Sequence, residues 1–273
     1  MPQARVARHR LANHSFGLDH AVMPDSEIQL ARLDERVQAA VERFWGVRAR
    51  QGEQQGSTTG RRDTGSRTDV TGGNHLDAFS DLIAECVMDN CPAIVVHRKP
   101  EPRKMTTLPG YFRPTKNWDL LLMLNGRLVG CIELKSQVGS FGKNYNNRTE
   151  EAVGNAFDLQ TAYREGAYRP SPQPYLGYLM VLQDCTRSTT PSTRAPDEEH
   201  FSIFEDFRGN SYAQRYENTI TRLVRERLYS SGCLILTNSE NGTVGWREPS
   251  EELTFRRLIA ELIGHGLAAS ASS

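Results

Sequence analysis

Three side chains within residues 118–135 carry chemistry that an ordinary buried strand would avoid. Asp119 stands at the entry of one apolar run, and Glu133 and Lys135 stand at the exit of the next. Between the runs lies Asn125-Gly126, a strong hairpin signal when apolar segments flank it. Alternation along a strand puts Glu133 and Lys135 on one face and Leu134 on the other. Two carboxylates with a neighbouring lysine suit a hard divalent cation such as Mg²⁺, which takes oxygen ligands and shares its shell with water and phosphate. Such an ion lowers the pKa of a bound water and stabilises charge on a phosphoryl transition state. Lys135 would orient that water or ease its deprotonation, and the Leu134 carbonyl at the strand edge is a further ligand. The competing reading is plain: Glu-x-Lys recurs by chance, and strand ends often carry solvated ion pairs.

The elements that must position these groups impose a condition on the hairpin. A strict two-residue turn pairs Leu124 with Arg127 and sends Asp119 to the side opposite Glu133. A three-residue loop of Leu124, Asn125 and Gly126, followed by a bulge, pairs Met123 with Arg127 and brings Asp119 to the side of Glu133 and Lys135. A functional cluster therefore predicts the looser turn.

The chain's 273 residues suffice for one large domain, and 33 basic residues balance 33 acidic ones. Balance argues against a non-specific nucleic-acid coat but allows local basic patches. No apolar run approaches the roughly 20 residues needed to span a bilayer, and no apolar core follows Arg5, Arg8 and Arg10. No membrane partner or secretory signal is therefore expected. Cys86, Cys91, Cys131, Cys185 and Cys233 are scattered and odd in number, which supports neither zinc nor a disulfide framework and points to a reducing cytoplasm.

Taken in order, residues 1–24 read as a basic arm. Apolar spacing through Leu30, Leu33, Val37, Val41 and Phe44 predicts a helix from Ser26. Residues 51–74 turn to Gly, Ser, Thr and Arg, including Arg61, Arg62 and Arg67; they read as a disordered loop or as a segment that orders on nucleic acid. A helix is predicted over 75–90, with Glu85 either solvated or a further carboxylate for the metal. A strand follows over 93–96. Residues 98–116 form a Pro-rich connector whose Arg98, Lys99, Arg103, Lys104, Arg113 and Lys116 could meet phosphate.

Beyond Lys135 the chain becomes a polar stretch able to read base edges, and a helix is predicted to open at Thr149 with Ala152, Ala156, Leu159 and Tyr163 inward. A strand over 175–182 precedes an exposed excursion over 183–199. A helix over 211–229, a strand over 233–237 and a helix over 251–263 complete the core, with a frayed tail from Ala268. The pattern is α/β, a mixed β-sheet flanked by helices. Three segments result: 1–75 (arm, helix and Gly/Arg-rich loop), 76–267 (the main domain) and 268–273 (tail).

Phosphate-binding glycine loops, a nucleophile elbow and a His-Glu-x-x-His motif are missing, and His75, His97 and His200 stand alone. Asp119 on one strand and Glu133-Leu134-Lys135 on the next resemble the PD-(D/E)xK nucleases, with Trp118 where a Pro often precedes the Asp. The longer strings from Asn117 to Leu121, from Ile132 to Gly139, from Asn146 to Ala152 and from Thr161 to Gly166 resemble type II restriction endonucleases of the XhoI type. The likeness is dense over 113–182 and looser beyond.

It implies a restriction-endonuclease-like core and a homodimer that cuts both strands of double-stranded DNA at the palindrome CTCGAG, leaving 5′ phosphates and 5′ overhangs. It also implies Mg²⁺ held by Asp119, Glu133 and the Leu134 carbonyl, with Asp119, Glu133 and Lys135 catalytic and a companion DNA methyltransferase in the host. Each half-site would offer two guanines to Lys143 and Arg148, and one adenine to Gln137, Asn144, Asn146 or Asn147. The alternatives are a structure-specific repair or recombination nuclease on the same fold, a non-catalytic DNA-binding module, or an α/β domain with no nucleic-acid role.

Overall fold

A computed structural model describes residues 30–59, 73–192 and 199–272. Six strands form the central sheet in the order β1-β4-β5-β6-β7-β8: β1 (Val95–Arg98), β4 (Leu120–Leu124), β5 (Arg127–Gln137), β6 (Tyr175–Gln183), β7 (Ser231–Glu240) and β8 (Thr243–Arg247). The pairs β5/β6 and β6/β7 are parallel, while β1/β4, β4/β5 and β7/β8 are antiparallel, so the sheet is mixed as expected. A second small sheet pairs β2 (Thr107–Pro109) with β3 (Thr115–Asn117) inside the Pro-rich connector.

The parallel steps need crossovers, supplied by α3 (Phe141–Arg164) and α5 (Tyr212–Arg225). Two crossovers of the same hand advancing in one direction fall on one face of the sheet. That face buries Leu121, Cys131, Tyr178, Met180 and Leu234 with Ala156, Leu159, Tyr216 and Ile220 from the helices. The opposite face buries Leu120, Leu122, Ile132, Leu179 and Ile235 under α1 (Leu33–Thr59), α2 (Asp77–Asn90) and α6 (Phe255–Ala271). A short α4 (Thr186–Thr189) lies in the excursion after β6. Among the described residues no helix is long and apolar enough to cross a membrane.

Several boundaries differ from the sequence reading. Ser26 and Arg61, Arg62 and Arg67 lie outside the described residues, but α1 runs on to Thr59 rather than yielding to a loop at Gln51; its Gln and Glu residues are good helix formers. Leu33, Val37, Val41 and Phe44 of α1 enter the same core as α2 and α6. α6 begins at Phe255, capped by the Thr254 hydroxyl, and continues to Ala271 instead of fraying from Ala268. Gly264 and Gly266 look like stops, yet Gly266 sits where a Cβ would lie 2.8 Å from Ile94, so it serves close packing. β7 and β8 form a second hairpin through Asn241 and Gly242, both with positive φ.

Candidate active site

The hairpin turn is the tight one. Leu124 pairs with Arg127, and Asn125 (φ 50°) and Gly126 (φ 75°) occupy the two turn positions, so the predicted three-residue loop is not formed. The required shift is made within β5. Met123 pairs with Leu128 but Leu122 with Gly130, which leaves Val129 as an extra residue, and from there Leu120 faces Ile132. Continuing that register sets Asp119 opposite Glu133. The bulge thus delivers Asp119 to the side the chemistry needs, by a different device from the one anticipated.

Asp119 then closes over the end of β5: its Oδ2 accepts the N–H of Leu134 at 2.7 Å. Because β4 stops at Leu120 while β5 runs on to Gln137, this part of β5 has no strand on that side. The N–H and C=O of one strand residue leave by the same edge, so the Leu134 carbonyl emerges beside the Asp119 carboxylate. Glu133 is 1% exposed and lies under α3. Its Oε1 takes the Lys135 ammonium and the Asn155 amide (3.3 Å), and its Oε2 takes the Lys116 ammonium at 2.9 Å.

The electrostatics follow from that packing. Burial, reinforced by the charge of Glu133, pushes the Asp119 carboxyl up to about 6. Burial works the same way on Glu133, but Lys135 and Lys116 outweigh it and hold this carboxyl below the usual range. Burial would depress the Lys135 ammonium, yet Glu133 and Asp119 raise it above its ordinary value. Lys135 therefore stays charged at neutral pH. As an ammonium it is a donor that can orient a water or a phosphate oxygen.

A cleft of about 590 Å³ opens over this cluster between the two layers. The helical turn before α2 brings His75 to its rim, α2 brings Asp77 and Ser80, the connector brings Lys99, Arg113 and Lys116, and α3 brings Asn144, Arg148, Glu151 and Asn155. Two atoms on this lining, Ser80 Oγ and Arg148 Nε, are buried without a hydrogen-bond partner among the described residues. Buried polar atoms normally find partners, so a lining with two orphans fits an oxygen-rich ligand. Among the described residues no three His, Cys, Asp or Glu side chains gather around a single point. A cation here would have two carboxylates and the Leu134 carbonyl, with water and phosphate oxygen completing its shell. That donor set suits a hard ion that keeps part of its hydration.

The residues expected to read bases are distributed differently from a loop. α3 begins at Phe141, eight residues before the predicted start at Thr149, so Lys143, Asn144, Asn146, Asn147 and Arg148 occupy its first two turns. Asn-rich sequence favours loops, but Phe141 buried in the core and Tyr145 packed on Tyr216 override that preference. Asn144 and Arg148 share a helical stripe with Glu151 and Asn155 that lines the cleft, and Arg148 pairs with Glu151 at 2.7 Å. Lys143, Asn146 and Asn147 are exposed.

Gln137 is not available for base reading. It is buried, its Oε1 accepts the Tyr216 hydroxyl, and its Nε2 donates to the carbonyls of Gly139 and Ser140. Its amide anchors the turn into α3 instead. Glu85 is likewise removed from the cluster, exposed and paired with Arg36 at 3.1 Å.

Other members of the site were not picked out from sequence. Lys116 was one basic residue among six in the connector; only the pairing of β2 with β3 and the end of β4 bring it to Glu133. Asn155 and Asp158 did leave a signal, as polar residues among Ala152, Ala156 and Leu159 on the buried stripe of α3. Asp158 accepts the N–H groups of Tyr111 and Phe112 and the Arg113 guanidinium, each at 2.8 Å, and Arg113 also donates to Asn155. Burial would raise the Asp158 carboxyl, but these donors hold it below the ordinary carboxylate range.

Comparison with known proteins places this geometry in context. A family model described as Restriction endonuclease XhoI matches residues 54–248. The chain is 41% identical over 214 residues to the type II restriction enzyme BstVI of Geobacillus stearothermophilus, covering 75% of this chain and 92% of that one. It is 45% identical over 178 residues to the type II restriction enzyme AbrI of Azospirillum brasilense, covering 64% and 76%. It is 40% identical over 199 residues to the type II restriction enzyme XhoI of Xanthomonas vasicola, covering 72% and 77%. No solved structure matches the chain.

Proposed function

The chain belongs to the XhoI family of type II restriction endonucleases, site-specific deoxyribonucleases of double-stranded DNA, and on that footing we propose that its catalytic centre is Asp119, Glu133 and Lys135. The observation that supports this reading is the 2.7 Å bond from the Leu134 N–H to Asp119 Oδ2, which brings the Asp119 carboxylate to the open edge of β5 beside the residue that follows Glu133. Asp119, Glu133 and the Leu134 carbonyl would hold Mg²⁺. When bound, that ion supplies Lewis acidity, lowering the pKa of an attacking water and neutralising charge on the scissile phosphate.

The side chains have distinct tasks around that ion. Lys135 keeps its proton and donates from Nζ to orient the attacking water in line with the departing 3′ oxygen. Asn155 and Lys135 fix the carboxylate of Glu133 through its Oε1 so that little reorganisation is needed during reaction. Arg113 and Lys99 contribute positive charge along the cleft, where the DNA backbone would lie.

The specificity we propose is CTCGAG, cut on both strands by a homodimer to leave 5′ phosphates and 5′ overhangs, with a companion methyltransferase protecting the host. The first two turns of α3 are the reading surface: Lys143 and Arg148 for guanine, and Asn144, Asn146 and Asn147 for adenine. Digesting a sequenced plasmid with Mg²⁺ and mapping the ends tests the cut. Asp119→Ala should abolish cleavage while sequence-specific binding persists; cleavage by Asp119→Ala at the wild-type rate overturns the assignment.

A further inference from the structure

Lys116 is held by three acceptors that differ in strength. Its Nζ lies 2.9 Å from Glu133 Oε2, 3.3 Å from the Asn117 carbonyl and 4.4 Å from the centre of the Trp118 ring. Its side chain is 12% exposed and that of Glu133 is 2% exposed. Glu133 thus has an ammonium on each oxygen, Lys135 on Oε1 and Lys116 on Oε2. A divalent cation drawn to Glu133 meets both.

The two lysines are not equivalent. Lys135 shares a strand face with Glu133 and is also drawn to Asp119 and Glu151. Lys116 reaches in from β3, and without Glu133 it retains the indole face of Trp118, a cation–π site. It is the ammonium that can leave. The formal charges of Asp119, Glu133, Lys116 and Lys135 cancel, so a dication entering alone makes a buried cluster doubly positive. A DNA phosphate arriving with the ion removes part of that excess.

We propose that Lys116 is a positioning residue acting as an internal competitor of the metal: it occupies Glu133 Oε2, weakens uptake of the free ion and so ties metal loading to the arrival of the DNA backbone. The inference rests on the metal site proposed above, at Asp119 and Glu133. Without Lys116 the cluster carries a net negative charge and takes the free ion more readily.

The test is calorimetric titration with MgCl₂ of the full-length protein without DNA. Lys116→Met removes the charge and keeps an unbranched apolar side chain of similar length, and Lys116→Gln is a second neutral variant should the first fold poorly. Both should bind Mg²⁺ about tenfold more tightly than wild type, the order expected for removing one partly screened charge at this distance. Lys116→Arg, which can grip the carboxylate with two donors, should bind no more tightly than wild type. General damage to the site would instead weaken binding in every variant. Equal or weaker binding by the neutral variants, including no uptake by any protein, overturns the inference. Adding Asp119→Ala to Lys116→Met separates the two readings: tight binding that survives this second change places the ion elsewhere, and the metal-site assignment itself then fails.

Discussion

The two faces of the central sheet are built from the same strands to different ends. Under α1, α2 and α6 the contacts are chiefly aliphatic and aromatic, as in Leu120, Leu122 and Ile132 against Phe79, Ile83 and Leu262. Under α3 and α5 the same strands bury Glu133 and Gln137, and α3 adds Asn155 and Asp158. Each of these polar groups is matched by donors or acceptors from another element: Lys116 from β3, Tyr216 from α5, the 111–113 loop on Asp158. Burying charge is costly unless it is paired and hydrogen-bonded. The apolar face therefore supplies stability, while the polar face holds charges in a geometry that solvent would not maintain.

Substitutions on the two faces should consequently separate stability from cleavage. The largest effect is expected from Leu122→Ala, which opens a cavity on the apolar face and should cost about 3 kcal/mol in denaturant unfolding. Cleavage per folded molecule should be unchanged; a parallel loss of rate would show that the faces are not independent.

Asp119→Asn should do the reverse. The folded-state pKa of Asp119 lies above its ordinary value, so its contribution to stability is complete below about pH 4 and is lost as pH rises through about 6. A neutral side chain escapes that loss. The variant should melt roughly 2–5 °C above wild type at pH 7, show no gain at pH 4, and cut no DNA. A lower melting temperature at pH 7, read by calorimetry, would contradict the burial cost assigned to this carboxylate.

The smallest effect is expected outside both faces. Glu85→Gln breaks an exposed ion pair with Arg36 and should change stability by less than about 0.5 kcal/mol, with cleavage intact. Any drop in rate would return Glu85 to the site.

Much of this architecture was legible because it rests on local rules. Strands β4, β5 and β6 announce themselves as apolar runs, Asn125-Gly126 marks a hairpin, and Ser211 with Gln214 caps α5. Asn241-Gly242 carried the same hairpin signal between β7 and β8, but its flanks are polar and lack the apolar alternation that makes the signal loud. The motif strings around residues 119, 133 and 135 specified the family, and the residue types at those positions are the basis of the catalytic centre proposed above.

Distance in the chain limited the rest. The side on which Asp119 emerges depends on one unpaired residue, Val129, placed by how β5 packs between its neighbours. Gln137 was consumed by Tyr216, 79 residues away, and α3 started early because Phe141 is buried. Lys116 met Glu133 only after β3 had paired with β2. Sequence by itself determined which chemistry this protein carries and which segments form strands and helices, since those follow from side-chain type and short-range periodicity. Tertiary structure decided which polar groups share a volume, because a register shift of one residue exchanges the faces of a strand and no local pattern records where that shift occurs.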